Sequence, residues 1–112
     1  MKYYRYLYVD ENIKDIDKVK QKLNLHRELI GLYLICLSKD NDELFIMSSY
    51  FLKLKYYRKN PVIIVGIMKS YDACVDTIIA MTEDSVKRTG EADLKKYLIK
   101  RTKSDDFKRE IL

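Results

Sequence analysis

Proline occurs once and glycine three times in this chain, and so few breakers exclude long irregular or linker-like stretches. The chain is therefore expected to be nearly all regular structure joined by short loops, with disorder only at its ends. Cysteine occurs twice and histidine once. Cys36 and Cys74 stand singly inside apolar segments rather than in a Cys-x-x-Cys pair, so no zinc cluster or dithiol redox motif is written here. Both read as buried free thiols in a reducing compartment, including Cys74, which falls in the first turn of an expected helix. His26 has no cysteine neighbour and cannot by itself make a ligand cluster or a triad. No apolar run approaches the ~20 residues of a membrane span; the longest lies near 30–37. Met1-Lys2-Tyr3-Tyr4-Arg5 has no apolar signal segment, so the expected location is cytoplasmic. Neither the Gly-x-x-x-x-Gly-Lys-Ser/Thr loop nor the Gly-x-Gly-x-x-Gly turn occurs, and Ser48-Ser49 fall within an expected helix rather than on a strained elbow. These absences leave no catalytic residue, metal site or cofactor to assign.

What is present is a chain of 112 residues, 47% hydrophobic and 35% charged. That length makes one domain, able to bury about two thirds of its surface. The net charge is +5, with acidic and basic residues interspersed, which reads as a solvated mixed surface.

Alternation over 3–9 puts Tyr4, Tyr6 and Tyr8 on one face and Tyr3, Arg5, Leu7 and Val9 on the other, the period of an edge strand. Ile13, Ile16, Val19 and Leu23 make an apolar stripe that predicts a helix over 11–25, capped by Asn12. The run 29–37 is continuously apolar and reads as a strand covered on both faces. A second helix is expected from Asn41 or Asp42 to about Arg58, with Leu44, Met47, Phe51, Leu54 and also Tyr50 inward; Phe45, Ile46, Leu52, Tyr56 and Tyr57 then form an apolar surplus needing another surface. The segment 61–68, opened by Pro61, is the clearest strand. Ser70 caps a third helix over 71–88, ended by Thr89-Gly90. A last helix is expected over 91–101, then a frayed tail or short turn over 103–112. The order β-α-β-α-β-α-α predicts a small α/β domain over 1–102, with a mainly parallel three-stranded sheet.

Ligands of such sheets bind at the carboxyl ends of the strands. That rule collects Asp10, Ser38, Lys39, Gly66, Lys69, Ser70 and Tyr71 as a candidate small-anion or nucleotide site beside a helix N-terminus. A second candidate is the run Lys53, Lys55, Tyr56, Tyr57, Arg58 and Lys59, which interleaves cations and aromatics as single-strand binders do. Arg5, Lys69, Lys95, Lys96, Lys100 and Arg101 would enlarge it if folding brought them near.

The stretches Tyr-Tyr-Arg-Tyr-Leu-Tyr, Lys-Tyr-Tyr-Arg-Lys-Asn-Pro, Val-Gly-Ile with Tyr-Asp-Ala, and Thr-Gly resemble a family of small bacterial proteins with no established function. The resemblance covers most of the chain and transfers no site. The leading expectation is a non-enzymatic interaction or regulatory module, homodimeric through the tyrosine strand or the second helix. Small-anion binding at the sheet edge and nucleic-acid binding at the basic aromatic run rank behind it; no membrane partner is expected.

Overall fold

The computed structural model describes residues 2–25, 31–38 and 43–103. His26, Lys39 and the rest of 39–42, and residues 104–112 lie outside the described residues. The elements are β1 (Lys2–Val9), α1 (Ile16–Asn24), β2 (Tyr33–Ser38), β3 (Leu44–Ser48), a 3-10 turn (Ser49–Lys53), α2 (Lys55–Lys59), β4 (Val62–Met68), α3 (Tyr71–Thr89) and α4 (Leu94–Lys103).

The α/β class holds, with β1 at an edge, but the sheet is four-stranded and mixed, in the order β1-β4-β2-β3. Only β1 and β4 are parallel neighbours; β2 is antiparallel to both β4 and β3. The mainly parallel, three-stranded expectation fails because 44–48 is a strand and not the start of a helix. Leu44 and Ile46 pack towards one face of the sheet, Phe45 and Met47 towards the other. A segment apolar on both sides satisfies a two-faced strand, whereas in a helix it leaves the surplus noted above.

Helices lie on both faces. Against one pack α3 and α4, around Tyr4, Ile35, Leu37, Val65, Met81 and Leu98. Against the other lie α1, the 3-10 turn and α2, around Leu23, Leu34, Cys36, Leu52 and Ile64. Every residue of β4 is buried.

Gly66 marks a bulge in that central strand. Pairing with β2 shifts by one residue between Ile35 and Cys36, and β4 changes phase there: Ile64 and Ile67 face the same side. A Cβ at Gly66 would meet Ile35 Cδ1 at 3.0 Å. Glycine therefore lets Ile35 close over the bulge.

Helix ends follow local chemistry. Ser70 caps α3 by accepting from Ala73 N at 3.0 Å, and Gly90 closes it at φ 76°, as the sequence predicts. The cap of α1 is Asp15, accepting from Lys18 N at 3.1 Å, rather than Asn12. Asp10 Oδ1 accepts the Asn12 N–H at 2.9 Å, and the Asp10 carbonyl accepts from Ile13 N. That turn delays the helix.

Candidate binding surface on the 3-10 turn and the second helix

Because β2 runs against β4, the three strand–helix junctions do not share one edge. Ser38 pairs with Val62 and Tyr33 with Met68, so Ser38 lies at the end of the sheet opposite Asp10 and Lys69. The seven residues of β4 separate those ends by about 23 Å.

The parallel pair does make a crevice. α1 leaves β1 towards one face and α3 leaves β4 towards the other, the switch-point arrangement of open α/β sheets. A cleft of about 670 Å³ there is lined by Asp10, Glu11, Lys69, Ser70, Asp76 and Thr77, among others. Two of the backbone donors an anion would use are already engaged. Asp10 Oδ2 accepts the Lys69 N–H at 2.9 Å and Ser70 takes the Ala73 N–H. These backbone hydrogen bonds, from Asn12 and then Lys69, hold the Asp10 carboxyl below its ordinary range. The chain's own carboxylate thus occupies the anion position and clasps two loops together, while Glu11 and Asp76 add negative charge. Gly66 belongs to the bulge. Tyr71 lies elsewhere, its ring 6.3 Å from that of Tyr33.

The basic aromatic run has a different setting. Ser48 caps the 3-10 turn, its Oγ accepting from Tyr50 N at 3.3 Å. A three-residue period then buries Ser49 and Leu52 and turns Tyr50, Phe51 and Leu54 outward. Leu52 and the half-buried Tyr57 anchor the segment to the core. Tyr56 is 59% exposed and Tyr50, Phe51 and Leu54 are each above 40%. The rings of Tyr56 and Tyr57 meet edge to face at 5.0 Å, and Lys53 Nζ stands 4.0 Å over the Tyr50 ring. Lys55, Arg58 and Lys59 are exposed on α2.

No acidic residue occurs between Glu43 and Asp72, so the charge here is segregated, unlike that of the chain as a whole. Beside this segment a groove of about 460 Å³ is lined by Phe45, Phe51, Leu54, Tyr57 and Tyr71, with Tyr33 behind them. Sequence reasoning placed Phe51 and Leu54 on the inner face of a helix and so missed them as surface residues. The acid-free run around Ser48-Ser49 was the available signal.

The other basic residues do not join this surface. Arg5 is on the opposite edge strand. Lys95, Lys96, Lys100 and Arg101 are on α4, across the sheet, where Lys96 Nζ lies 3.4 Å from Glu91. Lys69 follows β4, whereas α2 precedes it.

Both cysteines are buried free thiols. Burial pushes the Cys74 thiol up to about 11 and Cys36 higher still, with Cys74 adding to it, so neither is poised as a thiolate. Ser49 is buried. Among the described residues no group of three or more His, Cys, Asp or Glu side chains could hold a metal ion, and no helix is long and apolar enough to cross a membrane. No protein-family model, curated protein or solved structure matches the chain.

Proposed function

We propose that this chain is a non-catalytic binding module whose interface is the surface formed by the 3-10 turn and α2, and that this surface takes a negatively charged partner. One observation carries the reading. Exposed Tyr50, Phe51, Leu54 and Tyr56 converge on the same short segment as Lys53, Lys55, Arg58 and Lys59, inside an acid-free stretch. Cations at a helix C-terminus alone would be satisfied by the dipole, but the dipole gives no reason for large apolar groups to face water beside them. A clustered apolar and cationic surface supports docking.

The test is retention on immobilised heparin, with circular dichroism as the control for folding. The wild-type chain is retained, and the Lys55→Glu/Arg58→Glu variant elutes at distinctly lower salt with an unchanged spectrum. A wild-type chain that passes unretained at low salt would end the reading.

Self-association has its own supporting observation, at the other edge of the sheet from the tyrosine strand. β3, Leu44-Phe45-Ile46-Met47-Ser48, is a sheet edge without a charge or a proline, the kind of edge that pairs with another strand. A second copy added there would extend the sheet across a two-fold axis. Ile46→Lys should then convert a dimer into a monomer in sedimentation. A wild-type monomer at every concentration up to the solubility limit would sink this second reading.

A further inference from the structure

We infer that the negatively charged partner is a single-stranded nucleic acid, held by its phosphates on Lys53, Lys55, Arg58 and Lys59 and by its bases on Tyr50, Phe51 and Tyr56. The inference rests on the docking surface proposed above and names its occupant. Charge complementarity selects a polyanion: four of the seven residues from Lys53 to Lys59 are basic, with no acidic side chain in the run. The aromatic exposure selects unpaired bases. Tyr56 meets Tyr57 at an interplanar angle of 81° and Tyr50 meets Phe51 at 84°. Each pair is edge to face, so a pair covers at most one face of one of its rings; Lys53 Nζ lies over the Tyr50 ring, yet these residues remain substantially exposed. Such rings accept a base of any identity. A duplex hides its base faces and would gain nothing from them.

The groove beside the segment supplies a place for one base. Its volume of about 460 Å³ and its walls of Phe45, Phe51, Leu54 and Tyr57 suit a flat, weakly polar group better than a phosphate. An anionic membrane would also attract cations and aromatics, but interfacial helices bind it through a broad apolar face buried along their length. α2 has five residues, and a concave groove has no use against a flat lipid surface.

The experiment is fluorescence anisotropy with the whole chain and labelled 20-mers of dT and of rU. The comparison ligands are an abasic 20-mer, a DNA duplex, inorganic polyphosphate as competitor, and phosphatidylserine vesicles by co-sedimentation. Four phosphate contacts predict a log–log salt slope of about −3, so affinity falls roughly 50-fold between about 50 and 200 mM salt. The dT and rU strands should bind at least tenfold tighter than the abasic strand and the duplex. Tyr56→Ala should weaken dT by at least about fivefold while Tyr56→Phe retains binding, since the ring and not the hydroxyl stacks. A preference for rU over dT would assign RNA as the ligand, and the reverse DNA; either supports the inference.

Equal binding of the dT and abasic strands overturns the single-strand assignment and leaves the polyanion surface standing. A duplex bound more tightly than either strand, or vesicles bound without oligonucleotide, overturns it too. Silence from all of these ligands, polyphosphate included, removes both the inference and the reading beneath it.

Discussion

Two regions of this protein are rich in tyrosine and carry basic side chains, yet one is closed and the other open. On the β1 side, Tyr4 donates to the Leu98 carbonyl at 3.1 Å, Tyr97 donates to Asp84, and Arg101 donates to Tyr8. The Arg101 guanidinium lies 5.3 Å from the centre of the Tyr6 ring and 5.5 Å from that of Tyr8. On the side of the 3-10 turn and α2, the rings touch one another and a lysine but face outward. Composition does not distinguish the two. What differs is a later element: α4 brings a carbonyl, a cation and the apolar Leu98 to β1, and among the described residues nothing similar covers Tyr50, Phe51 and Tyr56. An aromatic cluster becomes core when the chain supplies partners for both its rings and its hydroxyls. Otherwise it is surface available to another molecule.

That contrast predicts unequal responses to the same substitution. Tyr4→Ala should cost about 3–5 kcal/mol in urea denaturation, because it empties a fully packed site and orphans its hydroxyl partner. The cations differ in the same sense. Arg101→Met should cost about 1–3 kcal/mol, since the guanidinium is half-buried over rings and hydrogen-bonded. Lys55→Met, on an exposed helix face, should change stability by less than about 0.5 kcal/mol. If the two methionine variants were equally stable, α4 would not be what closes the β1 cluster.

Alkaline pH sharpens the comparison further. Burial pushes Tyr3 up to about 12. Tyr97 rises to about 12 by burial and by its hydrogen bond to the Asp84 carboxylate, and burial raises Tyr4 as well. Their folded-state pKa values lie above the unfolded value near 10. The protonated, folded form is therefore favoured below pH ~10, and that stability is lost as pH rises towards 12. Unfolding followed by circular dichroism should show a transition there, with ionisation of these three tyrosines at 295 nm lagging until the fold opens. Asp10 works in the opposite direction: its carboxyl is held low, so its contribution is present above pH ~4 and fades on further acidification. The smallest stability effect belongs to Tyr56→Ala, within about 0.5 kcal/mol of wild type, although the same change should be plain in binding.

Much of this architecture was legible in local chemistry. Ser70 and Gly90 bound α3 because an oxygen cap and a left-handed residue are needed at those places, and both are visible in sequence. β4 declared itself through Val62-Ile63-Ile64-Val65. The difference lies at 44–48, where Leu44, Phe45, Ile46 and Met47 are all apolar and Ser48 alone cannot mark the phase; periods of two and 3.6 then fit equally well. A helix at 44–48 implies one strand fewer, the opposite direction for β2 and Ser38 beside Asp10 at one edge. It also implies an inner helix face for Phe51 and Leu54, which are exposed. The clasp between Asp10 and Lys69 was not legible either, since it joins residues 59 positions apart through a backbone N–H that any sequence offers.

The most direct test of the account is where a polyanion touches the molecule. Backbone amide shifts recorded by NMR during titration with a dT 20-mer should move over residues 50–59 and around the groove at Phe45 and Tyr71. The α4 residues around Leu98 and the clasp at Asp10 and Lys69 should stay in place. Shifts concentrated at Asp10, Lys69 and Ser70, or along β1 and α4, would contradict it.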